Sequence, residues 1–338
     1  MTHNFVIFGS SWDLYKQSYS DLYQLENARY ISDPSVNINK GIDKWLYKLQ
    51  HNPHIYNRVH FPWKERWYPY YFKDDFENTK NNGENLVFVF QGGWLLNEYA
   101  DYPAYLKKHY PLAKFVLFLQ DLFRMIKGKD RVANLDINQV RKEFDLILSF
   151  DQNDCEEYGF TYHPLVFSSY HGVIEDMPQS DVYFLGKAKN RLAEIIGCFE
   201  QLWRYNVDTD LWLVGVKPEE QVYKDKIHYV SSMAYLENLQ HVLHCNCELE
   251  IMQAGGLGYT QRMCEVISLD KKLITNNRTV HEAPFYNSDY IFQIEKPSDI
   301  TQEMCEKIKK RECVDYHYKE NLSPIELLEF IEEKLRKA

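Results

Sequence analysis

The segment Glu250–Asn277, EIMQAGGLGYTQRMCEVISLDKKLITNN, decides how this chain folds. It opens on the end of an apolar run, Cys245–Ile251, that reads as a strand. Gly255, Gly256 and Gly258 then let the backbone turn tightly and come close to a ligand. Thr260 stands where a helix should begin, a position that favours a hydroxyl cap. A second strand, Lys272–Thr275, ends in Asn276 and Asn277. Backbone N–H groups at a helix start, with Arg262 one turn in, make an anion site at the carboxyl end of a sheet. The plain alternative is a glycine loop that only turns the chain. Thr260, Arg262, Glu265, Asn276 and Asn277 argue for the ligand, because all can converge on one sheet edge.

The same plan extends in both directions. Toward the N-terminus of this half, Val182–Leu185 runs into Gly186 and Lys187, and Leu211–Val214 and Ile227–Val230 read as further strands. Helical patterns cover Arg191–Tyr205, Tyr235–Leu243 and Pro324–Arg336, and Tyr290–Ile294 is a last short strand. The first half carries Phe5–Phe8, Leu86–Phe90, Lys114–Leu119 and Leu146–Phe150, with helical patterns over Asn97–Tyr110 and Asn138–Phe144. These strands are continuous apolar runs rather than alternating ones, as in a parallel sheet buried on both faces. Strands separated by helices give a doubly wound α/β layer. The polar, aperiodic stretch Ser168–Ser180 reads as a seam. The expectation is two Rossmann-like α/β domains, 1–170 and 171–338, facing a cleft, with the terminal helix able to pack back on the first.

Composition bounds the function. The chain has 338 residues, 45% of them hydrophobic, enough for two cores. A net charge of −10 argues against nucleic acid as the main partner, since that partner needs a basic face. The N-terminal MTHNFVIFGSSWD lacks the basic and long apolar regions of a secretory signal, and no run approaches the roughly 20 apolar residues of a membrane span. Seven cysteines, with only a Cys245-x-Cys247 pair that should share a strand face, point to reduced thiols and a cytoplasmic setting rather than a zinc site or disulfides.

Three constellations could carry chemistry. In Phe184–Arg191, FLGKAKNR, Gly186 follows a strand, and Lys187, Lys189 and Arg191 place cations at alternate positions, suited to a diphosphate. A solvated basic helix start is the alternative, but that charge opposes the helix dipole. The turn from Ser231 to Tyr235 follows a strand and precedes a helix, so it could read a nucleobase edge or simply cap the helix. In the first half, Gly9, Ser10 and Ser11 form a strand-end loop, and Asp13, Glu98, Asp121 and Asp151 sit at strand ends. Asp208-Thr209-Asp210 has the spelling of a metal-binding D-x-D, yet it precedes the strand Leu211–Val214 and reads as a turn, so no metal site is expected.

FLGKAKNR, then LWLVG, HYVSSMAYLENL and ELEIMQAGGLGYTQRMCEVISLDKKLITNN, resembles the nucleotide-sugar half of GT-B glycosyltransferases. The closer likeness is to bacterial enzymes that assemble lipopolysaccharide and capsular polysaccharide. Phe144–Ser168, FDLILSFDQNDCEEYGFTYHPLVFS, extends the likeness into the first half. The resemblance implies transfer of a sugar from a nucleotide-sugar co-substrate to a glycan or lipid-linked glycan, without a metal or other cofactor, at the inner face of the plasma membrane. By position, Gly186, Lys187 and Arg191 would clamp the donor diphosphate. Gly256, Gly258, Tyr259 and Thr260 would approach the diphosphate and sugar, Ser231 would lie at the base, and Glu265 would grip the ribose. Arg262 is assigned to the diphosphate on its charge, and Gly9, Ser10 and Ser11 to the acceptor.

One departure matters. Many retaining members carry two Glu eight positions apart, and Leu257 stands eight before Glu265; Glu250 is too far by spacing. The motif therefore gives no support for retention. An inverting reaction needs a general base in the first domain, for which Asp121 and Asp13 are the candidates. Asp121 follows the most apolar strand, so its carboxylate should be desolvated and tuned. Phe61–Phe72, FPWKERWYPYYF, either stacks on an acceptor or membrane or packs in the core. Arg124–Arg131, RMIKGKDR, could meet anionic lipid or form a solvated loop. Two other readings of the chain are a non-catalytic scaffold of the same fold and a two-domain nucleotide-sugar epimerase.

Overall fold

The computed structural model describes residues 1–32, 37–38, 41–52, 63–95, 101–123, 137–252 and 258–337. The chain folds as two units, Met1–Val166 with Pro324–Ala338, and Phe167–Ser323. Each unit is one parallel sheet of six strands clothed by helices.

The first sheet contains β1 (Asn4–Phe8), β2 (Ala28–Ile31), β3 (Leu86–Gln91), β4 (Lys114–Leu119), β5 (Leu146–Ser149) and β6 (Thr161–Tyr162). Its order is β2-β1-β3-β4-β5-β6, so the chain reverses direction across the sheet between β1 and β3. The apolar runs are buried on both faces. Phe8, Phe88, Phe90 and Leu117 join one cluster, while Phe5, Ile7, Val87 and Phe118 join another. The terminal helix Pro324–Lys337 covers the second face with Leu327, Leu328 and Ile331. Its Glu332 accepts hydrogen bonds from the Thr2 N–H and hydroxyl, which ties the two chain ends together.

The second sheet contains β7 (Ser180–Lys187), β8 (Thr209–Val214), β9 (Ile227–Val230), β10 (Cys245–Glu250), β11 (Lys272–Thr275) and β12 (Ile291–Gln293). Its order is β12-β11-β10-β7-β8-β9, with the reversal between β7 and β10. One face packs Val182, Phe184, Leu211, Leu213, Cys247 and Leu249 against the helices Leu192–Arg204 and Gln302–Lys309. On the other face the alternation of β10 places Glu248 and Glu250, both buried.

Three readings need correction. The edge strands β2 and β6, and the helices Asp13–Ser18, Ile42–Gln50 and Gln152–Tyr158, are absent from the sequence reading. Thr209 and Asp210 lie inside β8 rather than in a turn before it, and Asp210 accepts from Trp212 Nε1 at 2.6 Å. Cys245 packs with Tyr183 and Val242, in a different cluster from Cys247. All seven cysteines are free. Among the described residues no helix is long and apolar enough to cross a membrane.

Candidate functional site

In doubly wound sheets, ligands settle outside the carboxyl ends of the strands at the point where strand order reverses. In the second sheet that point is the end of β7 and β10, where most of the sequence-predicted residues gather. Gly186 and Lys187 end β7, and Lys187 and Lys189 are exposed. Arg191 does not stand free in solvent. Its guanidinium turns back to donate to the Lys187 carbonyl at 2.6 Å and to the Ile251 carbonyl after β10. Burial first, and the neighbouring Arg262 second, push the Arg191 pKa down, and its Nε is buried with no partner.

Arg262 does the same from the opposite side. It leaves the first turn of the helix Gln261–Ser268, donates to the Leu185 carbonyl in β7, and meets Glu248 Oε2 at 3.2 Å. Two guanidinium groups thus bracket the end of β7, each fixed by backbone carbonyls. Gly258 adopts φ +87°, a left-handed conformation that a side chain would strain. Thr260 caps the following helix, accepting from Met263 N at 3.2 Å while its hydroxyl donates to Glu250. Glu250 is held again by the Thr275 hydroxyl, and Asn277 donates to the Gly258 carbonyl at 3.1 Å. The end of the loop, where the helix begins, is therefore anchored to β10 and to the residues after β11.

Other expected residues are placed differently. Glu265 is buried, with Tyr235 OH donating to it at 2.6 Å, and burial pushes its pKa up. Tyr259 packs edge-on against Phe285, with ring centroids 4.8 Å apart. Ser231 is exposed after β9. Gly256 lies outside the described residues, as do Gly255, Glu98 and the basic cluster Arg124–Arg131.

Glu248 is the residue that sequence reasoning missed. Its side chain is only 1% exposed, Arg262 takes one oxygen, and the other oxygen has no partner. Desolvation, then the Glu265 charge, drive its pKa well above the usual carboxylate range. The signal was present in the spelling Glu248-Leu-Glu250, two carboxylates at alternate positions of an otherwise apolar strand.

The first sheet carries a different set at its own reversal. Gly9 follows β1 so closely under Tyr30 that a Cβ there would lie 2.2 Å from the Tyr30 oxygen. Ser10 N donates to Gln91 Oε1 at 2.9 Å, Tyr30 OH donates to the Ser10 carbonyl at 3.0 Å, and Gln120 Nε2 donates to Tyr19 OH at 3.1 Å. Ser11 is exposed beside them. Asp121 is exposed, not desolvated as the apolar strand before it suggested, because it lies one residue past the covered edge. It does face Tyr15, whose phenol is pushed up to about 12 by burial and then by this carboxylate. Asp13 is exposed and paired with Lys16 at 3.3 Å. Asp151 is buried and caps the helix Gln152–Tyr158 by accepting from Asp154 N at 2.9 Å. In Phe61–Phe72, Trp67, Tyr68, Tyr71 and Phe72 are core residues; Phe61 and Pro62 lie outside the described residues.

No protein-family model matches the chain, and no curated protein does. Solved structures do. The Anabaena protein HepE, solved in complex with UDP and glucose, aligns over 99% of this chain and 100% of its own at 9% identity and a TM-score of 0.55. The fold is GT-B. The glycosyltransferase SnogD from Streptomyces nogalater aligns over 98% and 100% at 10% identity and a TM-score of 0.43, and the glycotransferase of kitacinnamycin over 98% and 98% at 12% and 0.43. In a GT-B chain, the two parallel six-stranded sheets are the two Rossmann-like domains.

Proposed function

We propose that the chain is a glycosyltransferase that uses a nucleotide-sugar donor. The observation that carries this reading is the pair Arg191 and Arg262, locked by the carbonyls of Lys187, Ile251 and Leu185 at the strand-order reversal of the second sheet. Guanidinium groups held in advance, beside the exposed Lys187 and Lys189, favour a diphosphate and the negative charge that grows on it as the sugar leaves. The UDP bound by the Anabaena structure of the same fold supports that donor class. Gly186, Gly258, Tyr259 and Thr260 are assigned to the diphosphate and sugar, Ser231 to the base and Glu265 to the ribose, with Gly256 assigned to the sugar by the sequence likeness alone. In the transfer the anomeric carbon exchanges its bond to the diphosphate oxygen for one to an acceptor hydroxyl oxygen. The nucleoside diphosphate departs and the hydroxyl proton passes to a carboxylate. Asp121 is the better base of the two candidates, because Asp13 already pairs with Lys16.

The acceptor, by the likeness of the sequence motifs, is a bacterial lipopolysaccharide or capsule glycan reached from the cytoplasmic face of the membrane, with Gly9, Ser10 and Ser11 at its site. Calorimetric titration with UDP-, dTDP-, GDP- and CDP-sugars tests the donor role. Lys187→Ala with Lys189→Ala, both exposed, should weaken the preferred donor by about tenfold without loss of fold, since two charge-assisted contacts go. Unchanged affinity would remove the donor assignment. Conversion of the free nucleotide sugar into an epimer would replace transfer by epimerisation.

A further inference from the structure

We infer that the carboxyl end of the first sheet is a platform for an uncharged sugar, stacked on Trp12 and hydrogen-bonded by Gln120 and its neighbours. The inference rests on the glycosyltransferase reading only in giving that sugar the role of acceptor. Trp12 is 71% exposed, a large apolar ring left in water immediately after the loop Gly9-Ser10-Ser11. Its backbone is not loose: Trp12 N donates to Ser10 Oγ at 3.2 Å, and Ser10 is fixed on both sides by Gln91 and Tyr30. Tyr23, 58% exposed, stands edge-on to Tyr30 with centroids 6.4 Å apart. A second open ring therefore borders the same cluster.

The buried polar groups below are amides and phenols, with the exposed Asp121 carboxylate next to Gln120. Gln120 spends its amide N–H on Tyr19, while its Oε1 is buried without any partner. An orphan acceptor at a strand-order reversal calls for a ligand hydroxyl, since a buried carbonyl oxygen left unpaired costs roughly 1–3 kcal/mol. Gln91 and Tyr30 complete a floor that can both give and take hydrogen bonds. The cation beside the loop, Lys16, is paired with Asp13. Neutral donors and acceptors under open aromatic rings suit a polyol that has an apolar ring face, and offer nothing to a phosphate. The second sheet, with its lysines and arginines at the equivalent place, offers the opposite.

The test uses the full chain on a printed array of neutral and acidic bacterial oligosaccharides, alongside calorimetry with the nucleotide sugar that binds best. Neutral glycans should be bound. Trp12→Ala should weaken them about tenfold, the loss of a stacked ring, and Gln120→Leu several-fold, with donor affinity within twofold of wild type for both. Because Trp12 is exposed, its variant keeps the wild-type melting temperature. Binding confined to acidic glycans, binding unaltered in Trp12→Ala, or no glycan binding would each overturn the platform. Neutral-glycan binding without any nucleotide-sugar binding would keep the platform and remove the transferase reading.

Discussion

The two sheets share strand number, direction and helical cover, yet what lies beneath their carboxyl ends is chemically opposite. At the carboxyl ends of β1 and β3 the polar groups are the phenols of Tyr19 and Tyr30 and the amides of Gln91 and Gln120, with the buried Asp151 and Asp154 carboxyl groups apart from them after β5. At the carboxyl end of the second they are acidic side chains around a guanidinium, Glu248, Glu250 and Glu265 near Arg262, while Lys272 is buried at the opposite end of β11. Phenols and amides satisfy one another without charge, whereas buried carboxyl groups around one guanidinium depend on that partner. The backbone plan thus leaves the chemistry free, and a few side chains at the strand ends give each unit its own.

The sharpest way to break this contrast is at Arg262. Arg262→Met should destabilise the second unit by about 3–5 kcal/mol, because the buried Glu248 loses its partner and the Leu185 carbonyl its charged donor. Adding Glu248→Gln should recover much of the loss. Urea unfolding followed by a probe in each unit would show it, and a loss below about 1 kcal/mol would mean that the ions do not hold this unit.

Acid should strike the first unit. His163 is buried between the Phe118 and Phe330 rings, and burial lowers its pKa to about 4. The folded state then binds fewer protons than the unfolded state, so stability present above pH 6.5 is lost as pH falls toward 4. The loss reaches about 3 kcal/mol from this group, at 1.36 kcal/mol per pKa unit. His163→Phe should flatten the slope; an unchanged acid profile would show that this ring is not the source.

Alkali should strike the second unit. Glu248 titrates high in the folded state, which binds more protons than the unfolded state as pH rises past the usual Glu range. Stability therefore falls with rising pH over that window, and Glu248→Gln should stabilise at pH 8 by about 1 kcal/mol. A steeper decline in the variant would contradict the sign.

The smallest effects are the caps. Thr260→Ala and Asp151→Ala each remove a side-chain acceptor from a helix start and should cost about 1 kcal/mol. Thr260→Ala should cost more, since it also strips a partner from buried Glu250. Equal values would mean that Glu250 finds another donor.

Much of this was legible in the chain itself. The central strands β1, β3 and β4 are built on apolar runs that match no solvent-facing strand, and Thr260 announced its helix. The edge strands β2 and β6 were not legible, because each has one sheet neighbour, and Arg29 or Tyr162 there reads as loop. The same holds for Asp121, whose exposure depends on where the helices stop rather than on the strand before it.

What the sequence determined by itself is periodicity: the central strands, the longer helices, and a doubly wound α/β plan in each half. It also placed Lys187, Arg191 and Arg262 just after or beside strand ends. What the tertiary structure decided is pairing. Glu248 meets Arg262 from fourteen residues away, Glu265 meets Tyr235 from thirty, and Arg191 reaches Ile251 from sixty. Such pairs follow from strand order across the sheet, which brings β7 beside β10. No local pattern of apolar and polar residues encodes that neighbourhood.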